Sequence, residues 1–194
     1  MKNERFKYIV SEIVNLSSKC WDELESKMYS KRIKKDNFFS KENSNTKEIA
    51  FIMGGLMRIY YLDDQGNEWN KKFLSSDDFV MASINPSEKS SVYIQSIKDT
   101  ELTTISYSDF LLLTNKYPKL MQLAYHLTSQ YLSTKEEREI TLLSINGKER
   151  YMRFTKEYAT IKDELPQYHI SSYLGITPTQ LSRLKKEISE NQHL

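Results

Sequence analysis

At 194 residues, with 39% hydrophobic and 12% aromatic side chains, the chain has ample material for a core in one large domain or two small ones, which excludes a disordered protein. Its net charge is only +2, so any affinity for nucleic acid has to come from a local patch, for which Arg183, Lys185 and Lys186 are the candidates. A lone cysteine, Cys20, excludes an internal disulfide and a four-thiolate iron–sulfur cluster. No apolar run approaches the roughly 18 residues of a membrane span, and Met1 to Phe6 lacks an apolar signal core, so a soluble protein of the reducing cytoplasm is expected.

From about residue 4 to 29, Phe6, Ile9, Ile13 and Leu16, then Trp21, Leu24 and Met28, recur at three- and four-residue spacings, which predicts two short amphipathic helices. Between Ser30 and about Thr104 the chain changes to short apolar runs rich in β-branched and aromatic residues, separated by polar turns. Ile49 to Met53 runs into Gly54-Gly55, Leu56 to Leu62 follows, and Asp63-Asp64-Gln65-Gly66-Asn67 is a strong hairpin signal before Trp69 to Leu74. Val92 to Ile97 and Leu102 to Tyr107 are expected to pair across a turn at Lys98-Asp99-Thr100-Glu101. So many closely spaced strands predict a barrel or double-sheet roll.

A helical tract begins at Ser108 and is interrupted at Tyr117-Pro118. Beyond the proline, Leu120, Leu123, Ala124, Leu127 and Tyr131 form a stripe on a helix of about 25 residues, or roughly 37 Å. A helix of that length outreaches a small domain, so the stripe is expected to join two subunits, burial in the chain's own core being the alternative. Asn146-Gly147-Lys148-Glu149 has capping-box spacing and opens a helix striped by Tyr151, Phe154 and Tyr158, with a domain boundary near Ile145.

The last thirty residues predict two short helices around a sharp turn. Pro166 suits a first helical turn, Ile170 and Leu174 share a face, and Gly175 supplies the left-handed residue that ends the first helix. Thr177 caps the second helix, of about 178–188, Pro178 takes its first position, and Leu181, Leu184 and Ile188 form its buried stripe. The opposite face carries Thr179, Ser182, Arg183 and Lys186, flanked by Gln180 and Lys185. This is a helix-turn-helix whose outer face suits a DNA groove. Arg183 is placed to read a base, Ser182, Thr179, Thr177 and Gln180 to touch neighbouring bases or phosphates, and Lys185 and Lys186 to attract phosphate. An amphipathic hairpin merely closing a domain would not call for a basic outer face free of large apolar groups.

A strand-rich roll, a long helix and a terminal helix-turn-helix, in that order, resemble the Crp/Fnr family of bacterial transcription regulators. The specific stretches are Tyr117-Pro118, Glu149-Arg150-Tyr151, Leu165-Pro166-Gln167, Leu174-Gly175-Ile176-Thr177-Pro178 and Leu181-Ser182-Arg183, which look like the Bacteroidetes-type subgroup. The resemblance implies an α+β protein. Residues 1–118 would form a cyclic-nucleotide-binding-like β-roll, a double-stranded β-helix, 119–145 a dimerisation helix, and 146–194 a helix-turn-helix domain reading double-stranded DNA as a homodimer. The family's nucleotide binders carry a Gly-Glu pair and an Arg-Ser/Thr-Ala motif around the phosphate. Here the stretch is Phe73 to Ser83 with Asp77-Asp78 in it, Ser90-Ser91-Val92 stands where the arginine motif would fall, and no Arg lies between Arg58 and Arg138. Cyclic-nucleotide binding is therefore not expected. The sequence shows no cofactor, and any small-molecule effector is unknown.

Enzyme chemistry finds no support. His126, His169 and His193 are too scattered for a metal site, Asp63-Asp64 and Asp77-Asp78 have no basic partner at diagnostic spacing, and neither G-x-S-x-G nor a P-loop occurs. The leading expectation is a homodimeric DNA-binding regulator. The alternative is a ligand-sensing or scaffold protein whose terminal helices bind a protein partner and whose DNA binding is vestigial.

Overall fold

The computed structural model describes residues 3–83, 85 and 87–191. Two helices, α1 (Glu4–Ile13) and α2 (Ser18–Lys27), open the chain. Ser17 caps α2, its hydroxyl accepting from the Cys20 amide at 3.3 Å. Six strands follow: β1 (Tyr29–Ile33), β2 (Phe38–Ser40), β3 (Glu48–Leu62), β4 (Glu68–Ser75), β5 (Phe79–Met81) and β6 (Tyr93–Ser106). Helices α3 (Tyr107–Lys116), α4 (Pro118–Ser144), α5 (Gly147–Glu157), α6 (Gln167–Leu174) and α7 (Pro178–Asn191) complete the described chain, with a short 3₁₀ turn at Lys162–Glu164.

The roll is made by bending two long strands together. β3 and β6 pair antiparallel along most of their length, and their register slips between Ile52 and Met57. On one side of the slip β1, β6, β3 and β5 form a first layer, through pairs such as Lys31 with Leu102 and Ala50 with Val80. On the other side β2, β6, β3 and β4 form a second layer, through pairs such as Phe38 with Gln95 and Met57 with Leu74. Gly55 sits at the bend with φ +115°, and a Cβ there would lie 2.6 Å from Asp99 O and Thr100 Cα, so only glycine fits. The expected turn at Lys98–Glu101 is therefore no hairpin: those residues stay within continuous β6, opposite Gly54 and Leu56, and the polar run marks a bulge. Likewise Ile49–Met53 and Leu56–Leu62 are halves of one strand. The Asp63–Asn67 hairpin forms as expected, with the Asp63 carboxylate accepting from the Gln65 and Asn67 amides and from Trp69 Nε1, each at 2.9 Å.

Three cores result. Between the layers lie Ile33, Ala50, Ile52, Val80 and Leu102 from the first and Phe39, Met57, Leu74 and Ile94 from the second, so side chains fill the roll's interior. The outer face of the first layer is covered by Phe6, Val10, Leu24, Leu113, Leu120 and Leu123 over Phe51 and Ile105. The outer face of the second layer, Leu56, Phe73 and Ile97, carries the helix-turn-helix through Phe154, Tyr158, Leu165, Ile170, Tyr173 and Leu174.

α4 spans 27 residues, about 40 Å. Its first turns correct an expectation. Leu120 and Leu123 are buried in the core beneath the first layer, with Leu127 packed beside them, because α3 lays this face of α4 onto α1. Of the stripe, Tyr131 faces solvent, and the other exposed large apolar groups of α4 are Met121, Tyr125, Leu132, Ile140, Leu142 and Leu143. No helix among the described residues is long and apolar enough to cross a membrane.

Candidate nucleic-acid interface

The helix-turn-helix is built by local chemistry. α6 ends at Gly175, whose φ of +66° lets the Gly175 and Ile176 amides turn back onto the Ser172 and Ser171 carbonyls, at 3.3 and 3.1 Å. Pro166 stands one position before α6, with extended ψ, and not inside its first turn. Thr177 and Gln180 form a reciprocal capping box: Thr177 Oγ1 accepts from the Gln180 amide at 3.2 Å, and Gln180 Oε1 accepts from the Thr177 amide at 2.9 Å. Leu181 is fully buried, with Leu184 and Ile188 half-buried behind it. Asn146 caps α5 by accepting from the Glu149 amide at 3.0 Å.

Thr179, Ser182, Arg183 and Lys186 lie on one exposed face of α7, at spacings of three and four, and Lys185 is exposed on its flank. Among the described residues the side chains of Thr179, Ser182, Arg183 and Lys185 make no hydrogen bond or ion pair, so their donors are available to a ligand. Lys186 faces Glu190 at 3.8 Å, a solvent-exposed pair of small energetic weight. Thr177 and Gln180, expected as DNA contacts, are engaged in folding the helix start. Residues 146–194 hold eight Lys and Arg against six Asp and Glu, and the acidic Glu187 of α7 is drawn off toward Lys148 at 2.5 Å.

α6 docks on β4 through buried polar groups that no local sequence signal marks. Arg58 is 4% exposed, stacks over Tyr60 at 3.9 Å, and donates to Gln95 Oε1 at 2.6 and 2.9 Å and to Glu68 Oε2 at 2.5 Å. Its Nη1 also lies 3.1 Å from His169 Nδ1, 111 residues along the chain. A guanidinium only donates, so His169 accepts through Nδ1 and is neutral, with its proton on Nε2. Burial, reinforced by the Arg58 charge, holds His169 down at about 4. Ser172 Oγ accepts from the Asn70 amide at 3.0 Å and donates to Glu68 O at 2.6 Å, closing the contact. Thus His169 is a satisfied interior histidine, His126 is half-buried on α4, and His193 lies outside the described residues. Among the described residues no group of three His, Cys, Asp or Glu is arranged to hold a metal ion.

The two aspartates of the β4–β5 turn are acceptors already in use. Asp77 pairs with Arg5, and Asp78 Oδ2 accepts from the Ser75 amide at 2.8 Å.

No family model and no curated protein matches this sequence. Solved structures do. FixK2 from Bradyrhizobium japonicum superposes with a TM-score of 0.76 at 18% identity, over 85% of this chain and 86% of that one. A regulator from Eubacterium rectale, assigned to the crp/fnr family, gives 0.70 at 17% identity over 91% and 85%. The chain has the fold of the Crp/Fnr regulators. CLP from Xanthomonas campestris, described as a c-di-GMP-responsive global regulator, shares that Crp/Fnr fold with a TM-score of 0.72 at 14% identity, over 91% of this chain and 93% of that one. The Crp/Fnr order of roll, long helix and helix-turn-helix is thus matched along nearly the whole chain.

Proposed function

We propose that this protein is a homodimeric DNA-binding transcription regulator whose α7 enters the major groove and which does not respond to a cyclic nucleotide. The observation that carries the reading is the outer face of α7: Thr179, Ser182, Arg183 and Lys186, exposed, polar and projecting from a helix-turn-helix. Arg183 is the base reader and Lys185 and Lys186 supply phosphate attraction. The functional division follows the expected one: a sensor-like roll at 1–118, a dimerisation helix at 119–145 and a DNA-binding unit at 146–194. Pairing of two copies through α4 is supported by Met121, Tyr125, Leu132 and Leu143, which together with Leu111 and Leu112 of α3 offer exposed apolar surface. Two such subunits would present their α7 helices to half-sites roughly 34 Å apart. A filled roll interior and acidic Asp77 and Asp78, where phosphate would need donors, argue against a cyclic nucleotide. The protein-partner alternative needs apolar anchors on α7, and its outward face offers Thr179, Ser182 and Arg183 instead.

Competition binding across a salt series tests the reading. Arg183→Ala is expected to lower specific over non-specific affinity by the roughly 1–3 kcal/mol of a base contact. Lys186→Ala is expected to weaken both alike and to flatten the salt slope by about 1. Equal losses for both variants on both DNAs would overturn it.

A further inference from the structure

We propose that the cleft between α4, α5 and α6 is a binding site for a phosphate-bearing small molecule, lying away from both the roll interior and the outer face of α7. The cleft holds about 320 Å³, within the range of small-ligand sites. Its rim carries four cations: Arg138 from α4 and Arg150, Arg153 and Lys156 from α5.

Several cations elsewhere are taken up by carboxylates. Lys27 pairs with Asp109, Lys31 with Glu48, Arg58 with Glu68 and Lys116 with Glu23. Among the described residues none of the four cleft cations has a carboxylate within ion-pair distance. Each arginine is instead fixed by neutral acceptors. Arg138 Nη2 donates to Tyr173 O at 2.7 Å, Arg150 Nη1 to Ile145 O at 2.8 Å, and Arg153 Nη1 to Thr141 Oγ1 at 3.1 Å. A guanidinium has five N–H donors, and although Arg138 Nη2 also donates to Asn70 O at 3.1 Å and Arg150 Nη1 to Leu142 O at 3.5 Å, each fork keeps donors open in a preset orientation. Glu137 and Glu157 also line the cleft, and Glu157 accepts from the Tyr173 hydroxyl at 3.1 Å. Two carboxylates against four cations leave the space positive, and Leu142 and Phe154 add an apolar wall for the organic part. A concave, partly apolar space between helices suits a small molecule better than a duplex backbone.

An occupant would touch α4 and α5 on both sides of Ile145. On the DNA-binding reading, which this consequence alone rests on, it would therefore set the angle at which α7 is presented.

Thermal unfolding of the full chain, without DNA, tests the site with sodium pyrophosphate as probe and sodium sulfate at matched ionic strength as control. Pyrophosphate at ten times its Kd is expected to raise the midpoint by roughly 3–6 °C. The shift should vanish in the double variant Arg153→Gln/Lys156→Gln, whose two side chains are exposed, and persist in the surface control Lys19→Gln. Equal shifts from sulfate and pyrophosphate mean an adventitious ion only and overturn the proposal, as does an unchanged shift in the double variant. No shift in the parent, together with lost DNA affinity in the double variant, also overturns it and assigns these cations to the DNA backbone. Because ligand binding is read without DNA, its failure stays distinct from failure of the DNA reading.

Discussion

The two outer faces of the roll are both covered by helices, yet by different chemistry. Over the first layer the seal is apolar: Phe6 meets Phe51 edge-on at 5.3 Å, Phe51 meets Phe79 at 5.1 Å, and Leu120 and Leu123 close the remainder. Over the second layer Phe73 is ringed by Phe154, Tyr158 and Tyr173 at 5.4–6.3 Å, but Arg58, Asn70, His169, Ser172 and Arg138 share the contact. Opening an apolar seal costs about 25 cal/mol for each Å² exposed, and nothing in water returns it. Polar partners are rehydrated on opening, so a mixed contact is easier to part for its area. The first cover is thus built as part of the roll, and the helix-turn-helix as a detachable one.

Removing the central ring from each cover sharpens the contrast. Phe6→Ala and Phe73→Ala should each cost about 3–5 kcal/mol of local packing. Native-state amide exchange separates them. Phe6→Ala is expected to lower protection throughout β3 and β6, whereas Phe73→Ala should lower it in α5 to α7 and leave the β3–β6 ladder slow to exchange. Matching exchange patterns would break the comparison.

Acid acts on the mixed cover selectively. His169 titrates at about 4 in the folded chain against 6.5 ordinarily, so the unfolded chain takes up the proton first as pH falls. Stability is therefore full above about pH 6.5 and drains between pH 6.5 and 4, by up to roughly 3 kcal/mol. Protonation also removes the acceptor for Arg58 and sets two cations 3.1 Å apart. Urea midpoints across that window should fall less in His169→Gln than in the parent, and parallel curves would refute the assignment.

The smallest effect concerns the turn alone. Gly175→Ala forces a side chain into φ +66° and is expected to cost about 1–2 kcal/mol, seen as a modest drop in unfolding midpoint with the roll untouched.

What was legible in the chain is what is written locally. Gly175, Thr177 and Pro178 mark the turn and second helix without reference to anything distant, and the periodicities of α1, α2 and α4 mark helices. The partners of each face were not legible. Lys98–Glu101 has a turn's composition, and only pairing with β3 shows it to be a bulge. Leu120 and Leu123 form an apolar stripe whether it meets a second copy or the roll, and α3 decides for the roll. Adjacent Phe73 and Leu74 are buried on opposite faces of β4, which is covered on both sides. Arg58 and His169, 111 residues apart, left no trace, and both faces of α7 were visible while the polar contact by which α6 docks on β4 was not.

The capping box at the start of α7 has a further consequence for selectivity. On the proposed reading, with Gln180 Oε1 and the Thr177 hydroxyl turned to the helix start, the side chains left wholly unengaged for reading on one helix are Thr179, Ser182 and Arg183. One bidentate arginine discriminates by about 1–3 kcal/mol, roughly a 5- to 150-fold preference at a single base pair. A single α7 therefore says very little. As the proposed homodimer, the protein would make the sentence specific by speaking it twice, at a fixed interval, and through how readily the intervening duplex bends.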